Sequence, residues 1–200
     1  MRAVKASTGI RQDQIAKAAL DLMLRHDWKK VSIAAVARKV GVVPSDIYRH
    51  YQNKDAMLDA VLDLVGERLL ENVRAVRQET DDALERLHRL LARHVQLVRG
   101  EIPIPRVLFS EEAFAGSPPR RRRIYRLFKE YLSGIAEIMR EGKKRKRIRP
   151  NLEPDSLAVM FLGLVQPAAI LWVMSGGQFD IERQTDTAWG FFNQAIQVNQ

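Results

Sequence analysis

Apolar residues recur at helical spacing along almost the whole of this chain, and no convincing period-two alternation interrupts them. That restricts the fold to helices packed on helices. Ile15, Ala19, Leu22 and Met23 follow i, i+4, i+7, i+8, which predicts an amphipathic helix from about Gln12 to His26. Trp28 and Val31 pack the connection that follows. Ser32 suits the N-cap of a short helix through Val40, with Val36 and Ala37 inward, and Gly41 supplies the left-handed residue that stops it. Pro44 fits the first position of a third helix, to Tyr51, and Asn53 can cap a much longer fourth helix beginning at Lys54. Further helices are expected at Asp82–Val98, Pro105–Phe114, Pro119–Glu141, Pro154–Met174 and Ile181–Val198. Breaker chemistry separates them: GEIPIP at 100–105, GSPP at 116–119, IRPNLEP at 148–154 and SGG at 175–177. The expected fold class is all-α.

Charge then narrows the class of partner. The net charge is +9, but residues 1–53 hold 10 basic and 4 acidic side chains, whereas residues 54–119 hold 9 and 12. A basic N-terminal quarter fits a polyanionic partner. Cysteine is absent, which excludes disulfides, cysteine-ligated metals and thiol chemistry and fits a reducing cytoplasm. The opening MRAVKASTGIRQDQ holds no apolar run of the kind a secretory leader needs, and a cytoplasmic protein is expected.

Two short helices joined by Gly41-Val42-Val43 have the shape of a helix–turn–helix. Ile47 and Tyr51 lie four apart and face inward, leaving Ser45, Asp46, Tyr48, Arg49 and His50 to project. Tyr, Arg and His can bond phosphate oxygens or base edges, and Arg can take guanine with two parallel bonds.

Residues 15–58, IAKAALDLMLRHDWKKVSIAAVARKVGVVPSDIYRHYQNKDAML, resemble without a gap the DNA-binding domain of TetR/AcrR-type bacterial repressors. The resemblance rests on the spacing of the first helix, the aromatic before the second, Val36-Ala37, Gly41-Val42, Ile47-Tyr48-Arg49-His50-Tyr51, and Asn53-Lys54-Asp55 with Leu58. It implies a three-helix DNA-binding domain over residues 1–53 and a larger helical ligand-binding and dimerisation domain over 54–200. The implied DNA contacts are Ser45, Asp46, Tyr48, Arg49 and His50, with Lys54 on a phosphate. Ser32 would cap the second helix and also touch phosphate. Three positions depart from the family: Val43 replaces a capping Ser or Thr, Asp46 replaces a common Thr, and Ile33-Ala34 replaces an often polar pair. An acid at 46 opposes the phosphate field, so it either caps the helix, the favoured reading, or accepts from a cytosine amino group.

Leu157–Met174, LAVMFLGLVQPAAILWVM, is apolar all round, as a membrane span or a core helix would be. Gln166-Pro167 at its centre would leave a carbonyl without its helical partner, and eighteen residues span only roughly 27 Å. The next segment is amphipathic, and in the resembling family the last two long helices form a four-helix bundle across a two-fold axis. A dimer interface is therefore expected, at Leu157, Leu164, Ile170, Trp189, Phe192 and Ile196, and no membrane partner.

RRRRIYR at 120–126 and GKKRKRIR at 142–149 are either solvated charge or auxiliary phosphate contacts. The resemblance further implies an unknown small effector, hydrophobic in character, among His94, Phe109, Phe114, Tyr125, Phe128, Tyr131, Met160 and Phe161. No enzyme is expected: the four histidines make no metal-ligand spacing, and no Walker A, G-x-G-x-x-G or G-x-S-x-G motif occurs. Neither a cofactor nor a metal is expected. The reading is a homodimeric regulator of transcription, a repressor released from a palindromic operator in double-stranded DNA. The alternatives are a membrane-tethered helix–turn–helix regulator and a non-specific DNA binder.

Overall fold

The structure is a computed structural model that describes residues 8–100 and 117–198. Its described residues form eight α-helices and one short 3-10 turn. They are α1 (Thr8–Arg25), the turn Trp28–Lys30, α2 (Ile33–Val40), α3 (Pro44–Tyr48), α4 (Lys54–Glu79), α5 (Ala83–Arg99), α6 (Pro118–Lys144), α7 (Pro154–Met174) and α8 (Ile181–Ile196). The only extended pairing among the described residues is a single antiparallel bridge between Ile148 and Gln197. The all-α expectation is met. The helix expected at Pro105–Phe114 lies outside the described residues.

Backbone chemistry fixes the helix ends. Ser32 accepts from the Ala35 N–H and Asp82 from those of Leu84 and Glu85, while Asn53 accepts from Ala56 and Glu153 from Ser156. Gly41 ends α2 with φ 79°, a left-handed conformation that costs glycine nothing. Helix α3 is shorter than expected: it stops at Tyr48, and the N–H groups of both His50 and Tyr51 turn back to the Ile47 carbonyl.

The chain divides into two compact units, Met1–Glu67 with Glu101–Ile124 and Arg68–Gly100 with Tyr125–Gln200. In the first, α1 packs on α2 and α2 on α3. Ile15, Ala19, Met23, Val36, Ile47, Met57 and Leu58 are buried between them. Arg120 is also buried. Its Nε donates to Asp59 at 2.7 Å and its Nη2 to the Asp55 carbonyl and carboxylate at 3.2 Å, while Arg123 pairs with Asp63. Half of the 120–123 cluster thus faces an acidic row on α4, with Arg120 buried and Arg123 half-exposed.

In the second unit α7 and α8 pack on each other and on α5. Leu87, Leu90, Tyr131, Ile135, Phe161 and Ile196 fill its core. Gly142 permits a close approach: a Cβ there would lie 2.7 Å from Ile148 Cδ1 and 2.9 Å from Ala83 Cβ. Charge is organised around Arg86, 5% exposed, which donates to Glu141, to the Thr80 and Arg77 carbonyls and to Asp81. Glu141 also takes Arg77. The 142–149 cluster also finds partners within the chain, although Lys144, Arg145, Lys146 and Arg147 are exposed. Lys143 donates to the Leu152 carbonyl, Arg145 pairs with Asp81, Arg147 with Asp82, and Arg149 donates to the Gln197 carbonyl.

Candidate nucleic-acid interface

The α2–turn–α3 segment is held as a unit by three features of its sequence. Gly41 reverses the chain, and the Val42 N–H returns to the Ala37 carbonyl at 2.9 Å. Pro44 takes the first position of α3, where a missing N–H costs nothing. Ile47 is fully buried, and the Tyr51 hydroxyl donates to the Gln12 carbonyl at 3.0 Å, tying the end of the recognition segment to α1. Burial, followed by Asp13 and Asp63, raises the Tyr51 pKa, so this donor keeps its proton at every working pH.

What remains outward is the polar face. Ser45, Tyr48 and Arg49 are exposed, and Asp46 and His50 half-exposed. The Asp46 carboxylate does not cap α3. Val43 occupies the N-cap with no side-chain bond, and Asp46 Oδ1 lies 3.0 Å from Arg49 Nη1 instead. The reason is geometric: residues three apart lie side by side on a helix. The i, i+3 spacing is present in the sequence, and the arginine, not a helix N–H, takes the carboxylate. His50 Nδ1 is buried and has no hydrogen-bond partner among the described residues. Lys54 is engaged within the unit, its ammonium donating to the Trp28 and Lys29 carbonyls and lying 4.9 Å from the Trp28 ring centroid. Ser32 performs its capping role.

A basic three-helix unit whose short third helix turns an arginine, a tyrosine and a serine outward suits a DNA major groove. The sequence model for the bacterial regulatory proteins of the tetR family matches residues 15–61, and that for the C-terminal region of YsiA-like proteins matches residues 65–195. The chain belongs to the TetR family. The nucleoid occlusion factor SlmA of Shewanella halifaxensis is 23% identical over 186 residues, 93% of this chain and 94% of that protein. Two solved structures share the fold. A TetR transcriptional regulator from Chloroflexus aurantiacus has a TM-score of 0.82 at 18% identity, covering 96% of this chain and 98% of that one. The regulator FadR from Bacillus subtilis in complex with stearoyl-CoA has 0.77 at 18%, covering 92% and 99%. TetR-family proteins act by binding DNA as helix–turn–helix transcription regulators, and not by catalysis.

Within this TetR-family chain the residues expected around an effector separate. His94, Tyr131 and Phe161 are each buried in the second unit, Phe128 is half-buried, and Tyr125 and Met160 are exposed. Phe109 and Phe114 lie outside the described residues. His94 Nδ1 and the Tyr131 hydroxyl are 3.0 Å apart, with the rings edge to face. Burial lowers the His94 pKa from 6.5 to about 4 and raises that of Tyr131. Both stay neutral at pH 7.

The sign of the pH dependence follows from that burial. Between pH 6.5 and about 4 the unfolded chain binds a proton at His94 that the folded chain refuses. Stability is therefore full above 6.5 and declines toward 4, by about 3 kcal/mol at the shift given. Urea midpoints at pH 7 and pH 4.5 measure it, and the difference between them should shrink in His94→Gln.

Of the six residues expected at a dimer interface, Leu157, Trp189, Phe192 and Ile196 are buried within the chain itself, Leu164 is half-buried and Ile170 exposed. Trp189 and Phe192 pack against Phe161, and His88 stacks flat on Trp189 at 5.3 Å. With Ile170, the exposed large apolar residues of α7 and α8 are Val159, Met160, Leu171, Val173, Met174 and Phe191.

Proposed function

We propose that this chain is a homodimeric repressor that occupies a palindromic operator in double-stranded DNA and leaves it when a small apolar molecule binds. Residues 1–53 read the DNA, through Ser45, Tyr48, Arg49 and His50, and residues 54–200 bind the effector and dimerise. The observation that carries this reading is the exposed apolar band on α7 and α8. Val159, Met160, Ile170, Leu171 and Met174 follow helical spacing along one side of α7, and Phe191 is exposed on α8. Monomeric proteins rarely leave large contiguous apolar patches to water, and a second copy would cover this band. The interface is therefore assigned to these residues and not to the four buried ones. Two copies present two α3 helices, matching half-sites about 34–36 Å apart.

The effector is assigned to the second unit, where His94 and Tyr131 form a buried polar pair. The Bacillus subtilis relative, crystallised with stearoyl-CoA, supports a ligand with a long apolar part.

Two rival readings have support. Helix α7, 21 residues with mean hydropathy 2.1, is long and apolar enough to cross a membrane, and only 33% of that stretch is buried. A cytoplasmic dimer predicts recovery in the soluble fraction without detergent. The name of the Shewanella relative favours DNA binding across the nucleoid instead of at one operator. Selection from a random duplex pool decides between them. An inverted repeat that excess bulk DNA fails to displace supports the repressor, whereas equal displacement from any sequence refutes it.

A further inference from the structure

We propose that Asp46 is a specificity-determining residue, holding the Arg49 guanidinium in the attitude that reads one guanine in each half-site. This rests on the assignment of α3 as the base-reading helix. An acid at this place needs a reason, because a carboxylate facing DNA opposes the phosphate field that supplies most of the affinity. The helix supplies only a weak one: Asp46 lies in the first turn of a five-residue helix and makes no capping hydrogen bond. Its partner is Arg49, one turn on, at 3.0 Å.

Arg49 forms no other hydrogen bond or ion pair among the described residues, and its side chain is 77% exposed on the outer face of the recognition segment. A guanidinium is a rigid planar fork of five N–H donors. With Nη1 on the carboxylate, the edge formed by Nε and Nη2 is left open, and its two parallel donors match guanine O6 and N7. The carboxylate therefore does two things. It removes part of the rotamer freedom that a long side chain would lose on docking. It also draws the guanidinium away from the phosphates, where it would bind every sequence alike. The expected signature is a trade: Asp46 lowers affinity for DNA in general and raises the discrimination at one base pair.

The test uses the full chain, with Asp46→Ala, Arg49→Ala and the double variant, all checked for wild-type helicity. Each is put through selection from a random-sequence duplex pool. Each is then titrated against the enriched site, the same site with one G·C pair exchanged, and bulk duplex. Arg49→Ala should lose about tenfold preference at one position of each half-site. Asp46→Ala should lose roughly threefold or more at that same position, while its affinity for bulk duplex stays equal or rises. In the Arg49→Ala background the Asp46 substitution should change nothing there. Discrimination unchanged in Asp46→Ala overturns the proposal and leaves a surface ion pair. An effect at a different position, or one undiminished without Arg49, also overturns it and makes Asp46 a reader of cytosine in its own right. No enriched sequence for the wild type removes the α3 assignment itself. Enrichment with an insensitive Asp46 removes only the pair.

Discussion

Glu141→Ala is expected to destabilise the second unit by about 3–5 kcal/mol, because it removes the main counter-charge from a guanidinium already taken out of water. Arg86 is 5% exposed. Of its acidic partners, Asp81 lies on the surface with 86% of its side chain exposed and is screened by solvent, while Glu141, at 23%, is the enclosed one. Without Glu141, the Thr80 and Arg77 carbonyls remain to satisfy N–H groups but carry no net charge. Arg77 loses the same partner. For a chain of this length the loss corresponds to a fall of roughly 10 °C in Tm. Urea unfolding at one fixed protein concentration measures it, the concentration being held because any dimer adds its own stabilisation. Exchanging both members of the pair, Arg86→Met with Glu141→Leu, should recover most of the loss, since apolar side chains of similar volume need no counter-charge. A Glu141→Ala loss below about 1 kcal/mol would mean that water reaches Arg86 and that the network is surface electrostatics.

That network shows where sequence reading stops. Caps and breakers act within a few residues, so they are legible. Ser32, Gly41, Pro44, Asn53 and Asp82 all sit where their chemistry puts them, and α7 runs from Pro154 to Met174 as its flanking breakers require. The arginine clusters read as loose charge because their partners are distant in the chain, as Arg120 is from Asp55 and Asp59. One signal was available. Asp55, Asp59 and Asp63 recur every four residues, an acidic stripe on a helix that asks for a basic neighbour. Helix α7 is illegible for a different reason. An amphipathic helix reveals its inner side by contrast, and a helix apolar on every side offers none. Its spacing therefore does not show that Leu157, expected at the dimer interface, is core. On α8 the Trp189–Phe192–Ile196 stripe is the apolar face that its spacing predicts, but it is covered by the chain's own α5 and α7.

Replacing Phe191 and Leu171 together by aspartate is expected to leave the chain a 22.9 kDa monomer and to weaken operator binding by about 100-fold or more. Phe191 is 71% exposed and Leu171 nearly half, so neither change opens a cavity, and the folded chain should keep its helicity. Between two copies the same positions would be enclosed. A carboxylate there would lose its water without gaining a partner, a cost of several kcal/mol that a dimer of this size does not survive. The effect on DNA follows from geometry, with no residue near α3 altered. Joined by their α7 and α8 helices, two readers make the second half-site encounter intramolecular, and separation forfeits that effective concentration. Tyr125→Asp is the control. Tyr125 is as exposed as Phe191 but lies on α6, so the charge alone should change neither mass nor affinity. Sedimentation velocity and titration of the selected operator read both quantities. A wild-type chain that sediments as a monomer, or a double variant that remains dimeric, removes α7 and α8 as the seam. An unchanged affinity in a proven monomer would show instead that a single reader suffices, and the requirement for an inverted repeat would go with it.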